Sequence, residues 1–206
     1  MSLLKKGYTV KKKLINIDFD GPLYDLQSVQ NEFLLQETGV LVKPEDVQTW
    51  DYYIDNHPRI FEVWSNFEHY SKGSLIQGAR KFFDDLMKIP GITIDDVCIL
   101  THTRGDMDDK KDELIRRLLP DHKVDIYHVH AKDKQDIVGT NFIVDDYDDT
   151  IKRCSENGAT CSLFDGNIYH YSEKGIENSL NNVTRAMSHD DVIHSIEGFL
   201  KAKGIK

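Results

Sequence analysis

The sequence predicts a three-layer α/β fold: a parallel sheet covered by helices on both faces, with a small helical unit inserted after the first strand. Three observations predict it. Short apolar runs with β character recur at 14–18, 97–101, 124–129, 141–144 and 159–164, and segments of helical period separate them. Such alternation is what a parallel sheet with crossover helices produces. The interval between the first two runs is far longer than one crossover needs, so residues 26–74 read as an insertion over the strand ends, with 1–25 and 75–206 forming the core. Third, residues able to do chemistry fall at the C-terminal ends of these runs, where open α/β sheets bind ligands.

The first run, Leu14-Ile15-Asn16-Ile17-Asp18-Phe19-Asp20-Gly21-Pro22-Leu23, carries an apolar strand into two carboxylates and a Gly-Pro turn. Asp18 and Asp20 are two residues apart, so an extended chain points both to one side. Two buried acids are costly unless a cation or a reaction uses them. Residues 26–37 have helical period, with Leu26, Val29, Phe33 and Leu34 on one face and Gly39 as the stop. Pro44-Glu45-Asp46 marks another helix start. Trp50, Tyr52, Tyr53, Phe61, Trp64, Phe67 and Tyr70 crowd one segment, which predicts a separate aromatic cluster.

A helix over 77–88 follows, with Ala79, Phe82, Phe83, Leu86 and Met87 apolar and Pro90-Gly91 ending it. The second strand ends at Thr101. Residues 108–119 are helical, with Leu114, Ile115, Leu118 and Leu119 inward. After the third strand, the fourth runs straight into Asp145-Asp146. A helix over 148–157 closes at Gly158, the fifth strand follows, and Ser188 with Asp191 three residues on opens a last amphipathic helix.

The composition, 39% hydrophobic and 30% charged, is that of a globular protein. A net charge of -9 argues against a partner that is a nucleic acid polymer, which needs a basic face. Three scattered cysteines, Cys98, Cys154 and Cys161, form neither a disulfide framework nor a zinc knuckle, and they read as reduced thiols of a cytoplasmic protein. The basic N-terminus lacks the apolar core of a signal peptide, and no run is long enough to span a membrane.

Acids therefore come from the first and fourth strand ends, a hydroxyl, Thr101 in Thr101-His102-Thr103, from the second, and Lys132 and Lys134 from just after the third. Asp18, Asp20 and one of Asp145 and Asp146 are hard oxygen donors suited to Mg²⁺. Lys132 or Lys134 can neutralise a phosphate, and Lys110 or Lys111 at a helix start can reach the same pocket. His128-Val129-His130 has the alternation of a metal pair, but an acidic hard-cation site leaves it a structural or rim role. Asp18 and Asp20 alone fit a solvated turn; in register with the other three groups they fit a site.

Taken in order, D-F-D-G-P-L-Y-D, the strand ending in Thr101, Lys132-Asp133-Lys134 and I-V-D-D resemble the four motifs of the haloacid dehalogenase (HAD) superfamily, whose core is Rossmann-like. The resemblance covers nearly the whole chain. Within that superfamily the Asp-Gly-Pro-Leu form, the insertion and the I-V-D-D ending resemble the 5'(3')-deoxyribonucleotidases. The resemblance implies Asp18 as nucleophile, Asp20 as acid and base with its backbone carbonyl on Mg²⁺, and Thr101 and Lys134 on the phosphoryl oxygens. It prefers Asp146 to Asp145 as metal ligand. It places Leu26 and Trp64 in the substrate pocket, and Trp50 among the aromatics able to stack a base. His102 stands where the family has a small residue or Ser, and the insertion matches only in character.

The expected substrate is a small phosphate monoester, a nucleoside monophosphate first. A sugar phosphate for a related phosphatase or mutase, or a phospho-accepting regulatory domain, are the alternatives. A homodimer is compatible with the chain.

Overall fold

A computed structural model describes residues 11–43, 46–47, 49, 52–103, 107–166 and 175–205. Six parallel strands form one sheet in the order β3-β2-β1-β4-β5-β6: β1 Ile15–Ile17, β2 Val97–Thr101, β3 Asp125–His128, β4 Phe142–Asp145, β5 Thr160–Phe164 and β6 Val183–Ala186. β1 lies between β2 and β4, with Asn16 level with Cys98 and Ile143. The strand order reverses there, so the crevice above the ends of β1 and β4 is where such a sheet receives a ligand. The predicted α/β class is the observed one.

The first five strands are the predicted ones, with their ends within a residue of the expected positions, and β6 was not foreseen. Central strands of a parallel sheet are covered on both faces, so they read as continuous apolar runs. Every residue of β2 is buried. Asn16 is the polar exception in β1, and its amide is satisfied: Nδ2 donates to Phe142 O at 2.9 Å while Oδ1 accepts from Cys98 Sγ at 3.2 Å.

Alternate strand residues serve opposite faces. Ile15, Ile17, Ile99, Phe142 and Val144 pack with α5 (Ala79–Leu86), α6 (Asp108–Leu118) and α10 (His189–Ala202) through Phe83, Leu114 and Phe199 among others. Cys98, Leu100, Ile143 and Cys161 pack on the other face with α7 (Lys134–Val138) and α8 (Asp148–Glu156). A short α9, Ile176–Ser179, adds Ile176 to that face. Helix α10 starts as the sequence predicts, with the Ser188 side chain accepting from Asp191 N.

Between β1 and α5 lie α1 (Leu26–Thr38), α2 (Tyr52–Asn56), α3 (Phe61–Ser65) and α4 (Phe67–Tyr70). Asp25 caps α1 by accepting from Ser28 N, and Gly39 ends it in the left-handed region at φ 72°. Val29, Phe33, Leu34, Tyr53, Ile60 and Val63 form a hydrophobic cluster distinct from the two sheet-facing ones. The segment leaves and rejoins the sheet at one neck, where Asp25 N donates to Ser74 O and Ile76 N to Leu23 O. Trp50 and the helix start at Pro44-Glu45 lie outside the described residues.

Candidate active site

The end of β1 makes the turn that the Gly-Pro signal predicts. Phe19 O accepts from both Leu23 N and Tyr24 N, and Gly21 sits at φ 91°. A side chain at position 21 would have its Cβ 2.0 Å from Asp146 Oδ2, so only glycine lets the β1 turn and the β4 end come together. Asp18 is fixed at the mouth of this turn, its N–H donating to Val144 O at 2.9 Å and its Oδ1 accepting from Phe19 N at 2.8 Å.

Lys134 opens α7, and its side chain is only 3% exposed. Its Nζ lies 3.0 Å from Asp18 Oδ2 and 2.6 Å from Asp145 Oδ2, tying the β1 acid to the β4 acid. Asp145, fully buried, also accepts from Tyr147 N at 2.9 Å. Burial opposes the Lys134 charge, but Asp145 and Asp18 outweigh it and hold the ammonium above its ordinary range. Burial pushes the Asp18 carboxyl up to about 7, Lys134 pulls the other way, and the Asp145 and Asp20 charges add to the rise.

Asp20 has separate partners. Lys111 Nζ, from α6, donates to its Oδ2 at 2.6 Å and to His102 O at 2.9 Å. Tyr70 OH donates to Oδ1 at 2.5 Å, and the Tyr70 carbonyl in turn accepts from Tyr24 OH. Burial first and then the Asp20 charge hold the Tyr70 phenol far above its ordinary range, so it remains a donor. Asp20 is thus oriented by α4 on one oxygen and by α6 on the other.

These groups line one cavity of about 150 Å³. Asp18, Asp20, Asp145, Asp146, Lys134 and Lys111 line it together with Leu26, Tyr53, Trp64 and Phe67, which α1 to α4 contribute. His102 lines it too, with Nε2 at 3.0 Å from His130 Nδ1. Thr101 is fully buried at the end of β2 with its hydroxyl unpartnered, while Thr103, two residues on, lines the cavity. Lys132 is exposed and lines an adjoining hollow with His130 and Arg153. Tyr70, Gln27, Gln30 and Thr150 also line the cavity, and sequence reasoning did not name them as site residues. For the glutamines a signal was available, since 27 and 30 share a helical face beside the apolar one.

The donor set fits a divalent cation. One oxygen from each of Asp18, Asp145 and Asp146 lies within 4.8 Å of the others. Among the described residues, four carboxylates and two ammonium groups meet in this place. All the donors are hard oxygens, which suit magnesium better than a soft-ligand metal.

The same architecture occurs in solved structures. A HAD family hydrolase from Deinococcus radiodurans, with bound phosphate and sodium, matches at a TM-score of 0.60 with 15% identity, over 93% of this chain and 98% of that one. The chain has the haloacid dehalogenase-like fold. A haloacid dehalogenase-like hydrolase from Streptococcus pneumoniae matches at 0.56 with 13% identity, over 91% and 99% of the two chains. A HAD-hydrolase from Bacillus subtilis bound to magnesium matches at 0.51 with 12% identity, over 90% and 99%. No family model and no curated protein matches the sequence. Within this fold the acids Asp18, Asp20, Asp145 and Asp146 all stand at the C-terminal ends of β1 and β4, as their order in the sequence implies. Among the described residues no helix is long and apolar enough to cross a membrane.

Proposed function

We propose that the chain is a magnesium-dependent phosphatase that hydrolyses nucleoside monophosphates through an aspartyl-phosphate on Asp18, and that residues 26–74 are its cap. The observation that carries this reading is the division of labour between the two buried lysines. Lys134 bridges Asp18 and Asp145, while Lys111 serves Asp20. A charge-balanced nucleophile and a separately held proton carrier are what two-step phosphoryl transfer requires.

In the first step Asp18 attacks phosphorus, the ester P–O bond breaks, and Asp20 delivers a proton to the leaving nucleoside oxygen. In the second, Asp20 takes a proton from water, the water oxygen attacks phosphorus, and the bond to Asp18 breaks to release inorganic phosphate. Lys134 balances charge on the phosphoryl oxygens, and the unpartnered Thr101 hydroxyl is the donor proposed for one of them. Asp18, Asp145 and Asp146 would hold the Mg²⁺, with the Asp20 backbone carbonyl as the resemblance implies. The ion supplies the charge neutralisation that lets a carboxylate approach a phosphate dianion.

The apolar walls Leu26, Trp64 and Phe67 favour a base over the hydroxyl-covered face of a sugar phosphate. The test is phosphate release from a panel of nucleoside monophosphates and sugar phosphates, with Mg²⁺ and with a chelator. The reading expects Mg²⁺-dependent release, fastest with nucleotides. Release from sugar phosphates alone would remove the nucleotide claim, and none from any ester would remove the phosphatase claim.

A further inference from the structure

Helix α1 brings an unusual pair of side chains to the cavity. Gln27 and Gln30, one turn apart, are 6% and 5% exposed, and both line the cavity rather than the solvent face of the helix. Gln27 Nε2 is buried with no hydrogen-bond partner, and the Gln30 side chain lines the cavity beside it. Beside them the Asn31 Nδ2 is also unpartnered, although its Oδ1 accepts from Tyr53 OH at 2.8 Å. A buried amide without a partner costs stability, and leucine or methionine would fill the same space without that cost. Amides kept in such a place are satisfied by something that enters the cavity.

We infer that Gln27 and Gln30 are specificity residues that read the hydrogen-bonding edge of the substrate's base. This inference rests on the nucleotide reading above and names the groups that would enforce it. A primary amide presents a coplanar donor and acceptor, so its complement is a ring edge of the form –C(=O)–NH– or –C(NH₂)=N–. Trp64 and Phe67 wall the same cavity and suit a flat ring. Apolar walls with a few converging polar groups are the usual build of a site that selects one heterocycle. A site made to pair a substrate's polar edge also rejects analogues that lack it, because its own amides are then left unpaired.

The experiment compares Gln27→Leu and Gln30→Leu with the parent on three substrates: a nucleoside monophosphate, 2-deoxyribose 5-phosphate and p-nitrophenyl phosphate. For the nucleotide each substitution lowers kcat/KM about tenfold. For the two esters without a base kcat/KM stays within about twofold, since the phosphoryl machinery is untouched. Thermal melts add a second readout: the Leu variants melt at or above the parent temperature, whereas a merely structural pair of glutamines would melt lower when replaced. Equal losses on all three substrates, or an unchanged nucleotide preference in both variants, overturns the inference. If the parent cleaves the base-free esters but no nucleotide, the nucleotide reading itself has failed.

Discussion

Replacing Lys134 by methionine tests whether the buried ion cluster is built as described. Methionine keeps the volume of the side chain and removes the ammonium. The lysine side chain is 3% exposed and Asp145 is fully buried, so solvent cannot take over the lost charge. Breaking a buried pair by deleting one partner costs about 3–5 kcal/mol, because the remaining charge is stranded. At pH 8, above the raised Asp18 value of about 7, both Asp18 and Asp145 lose the same partner, which puts the expectation at the upper part of that range. For a chain of this length that corresponds to a melting temperature lowered by about 6–20 °C. Equilibrium urea denaturation in metal-free buffer measures it directly. The double variant Lys134→Met with Asp145→Asn recovers part of the loss, with a coupling of about 1 kcal/mol or more. A Lys134→Met protein within about 1 kcal/mol of the parent would refute the reasoning, since it would mean that the carboxylates find water or are already protonated.

Three further outcomes follow from the same geometry. Burial raises the Asp18 carboxyl from its ordinary 3.8 to about 7, so the native state holds this proton more tightly than the unfolded chain and stability falls as pH rises through that window. Asp18→Asn is therefore more stable than the parent above pH 7 in metal-free buffer, and the difference closes toward pH 4, as melts across pH will record. Burial holds His189 below its ordinary 6.5, with Nε2 at 2.8 Å from Pro22 O, so its contribution is present above 6.5 and is lost as pH falls through the depressed value. His189→Gln removes that acid-side loss relative to the parent, which the same series reads. Tyr70→Phe deletes one of the two donors orienting Asp20 and lowers kcat on a nucleoside monophosphate about tenfold or more. The loss is smaller on p-nitrophenyl phosphate, whose leaving group departs without a proton; equal losses would deny Tyr70 a role in proton delivery.

The legible parts of this fold are those where burial leaves a pattern. β1, β2, β4 and β5 lie inside the sheet and read as apolar runs, and β3, at one edge and without a buried residue, is marked only by the buried Val124 and Val129 that flank it, whereas β6, at the other edge, has an exposed Thr184 and an Arg185 held by Asp165 and Glu177. Nothing in Val183-Thr184-Arg185-Ala186 distinguishes it from a loop. The acids were legible because carboxylates ending an apolar strand have no ordinary reason to be there. Spacing alone did not separate the lysines, since Lys111, Lys132 and Lys134 all fall near the same strand ends, and only the family resemblance favoured Lys134. Geometry divides them: Lys134 takes Asp18 and Asp145, Lys111 takes Asp20, and Lys132 stays exposed. Tyr70 was hidden in an aromatic-rich segment where each ring has an equal claim to packing. Gln27 and Gln30 share a helical face beside the apolar one, but polarity outweighs that signal, because a glutamine on an amphipathic helix is ordinarily a solvent-facing residue.

The account's central claim is that Asp18 carries the phosphoryl group. Rapid quenching of Asp20→Asn with p-nitrophenyl phosphate, whose leaving group needs no proton from Asp20, and Mg²⁺, followed by intact-mass and peptide analysis, tests it most directly. The account predicts one phosphoryl group on the peptide containing Asp18, absent when Asp18 is also replaced by Asn. A phosphoryl group on another residue, such as His102 or His130, or phosphate release with no covalent species at any time, would contradict it.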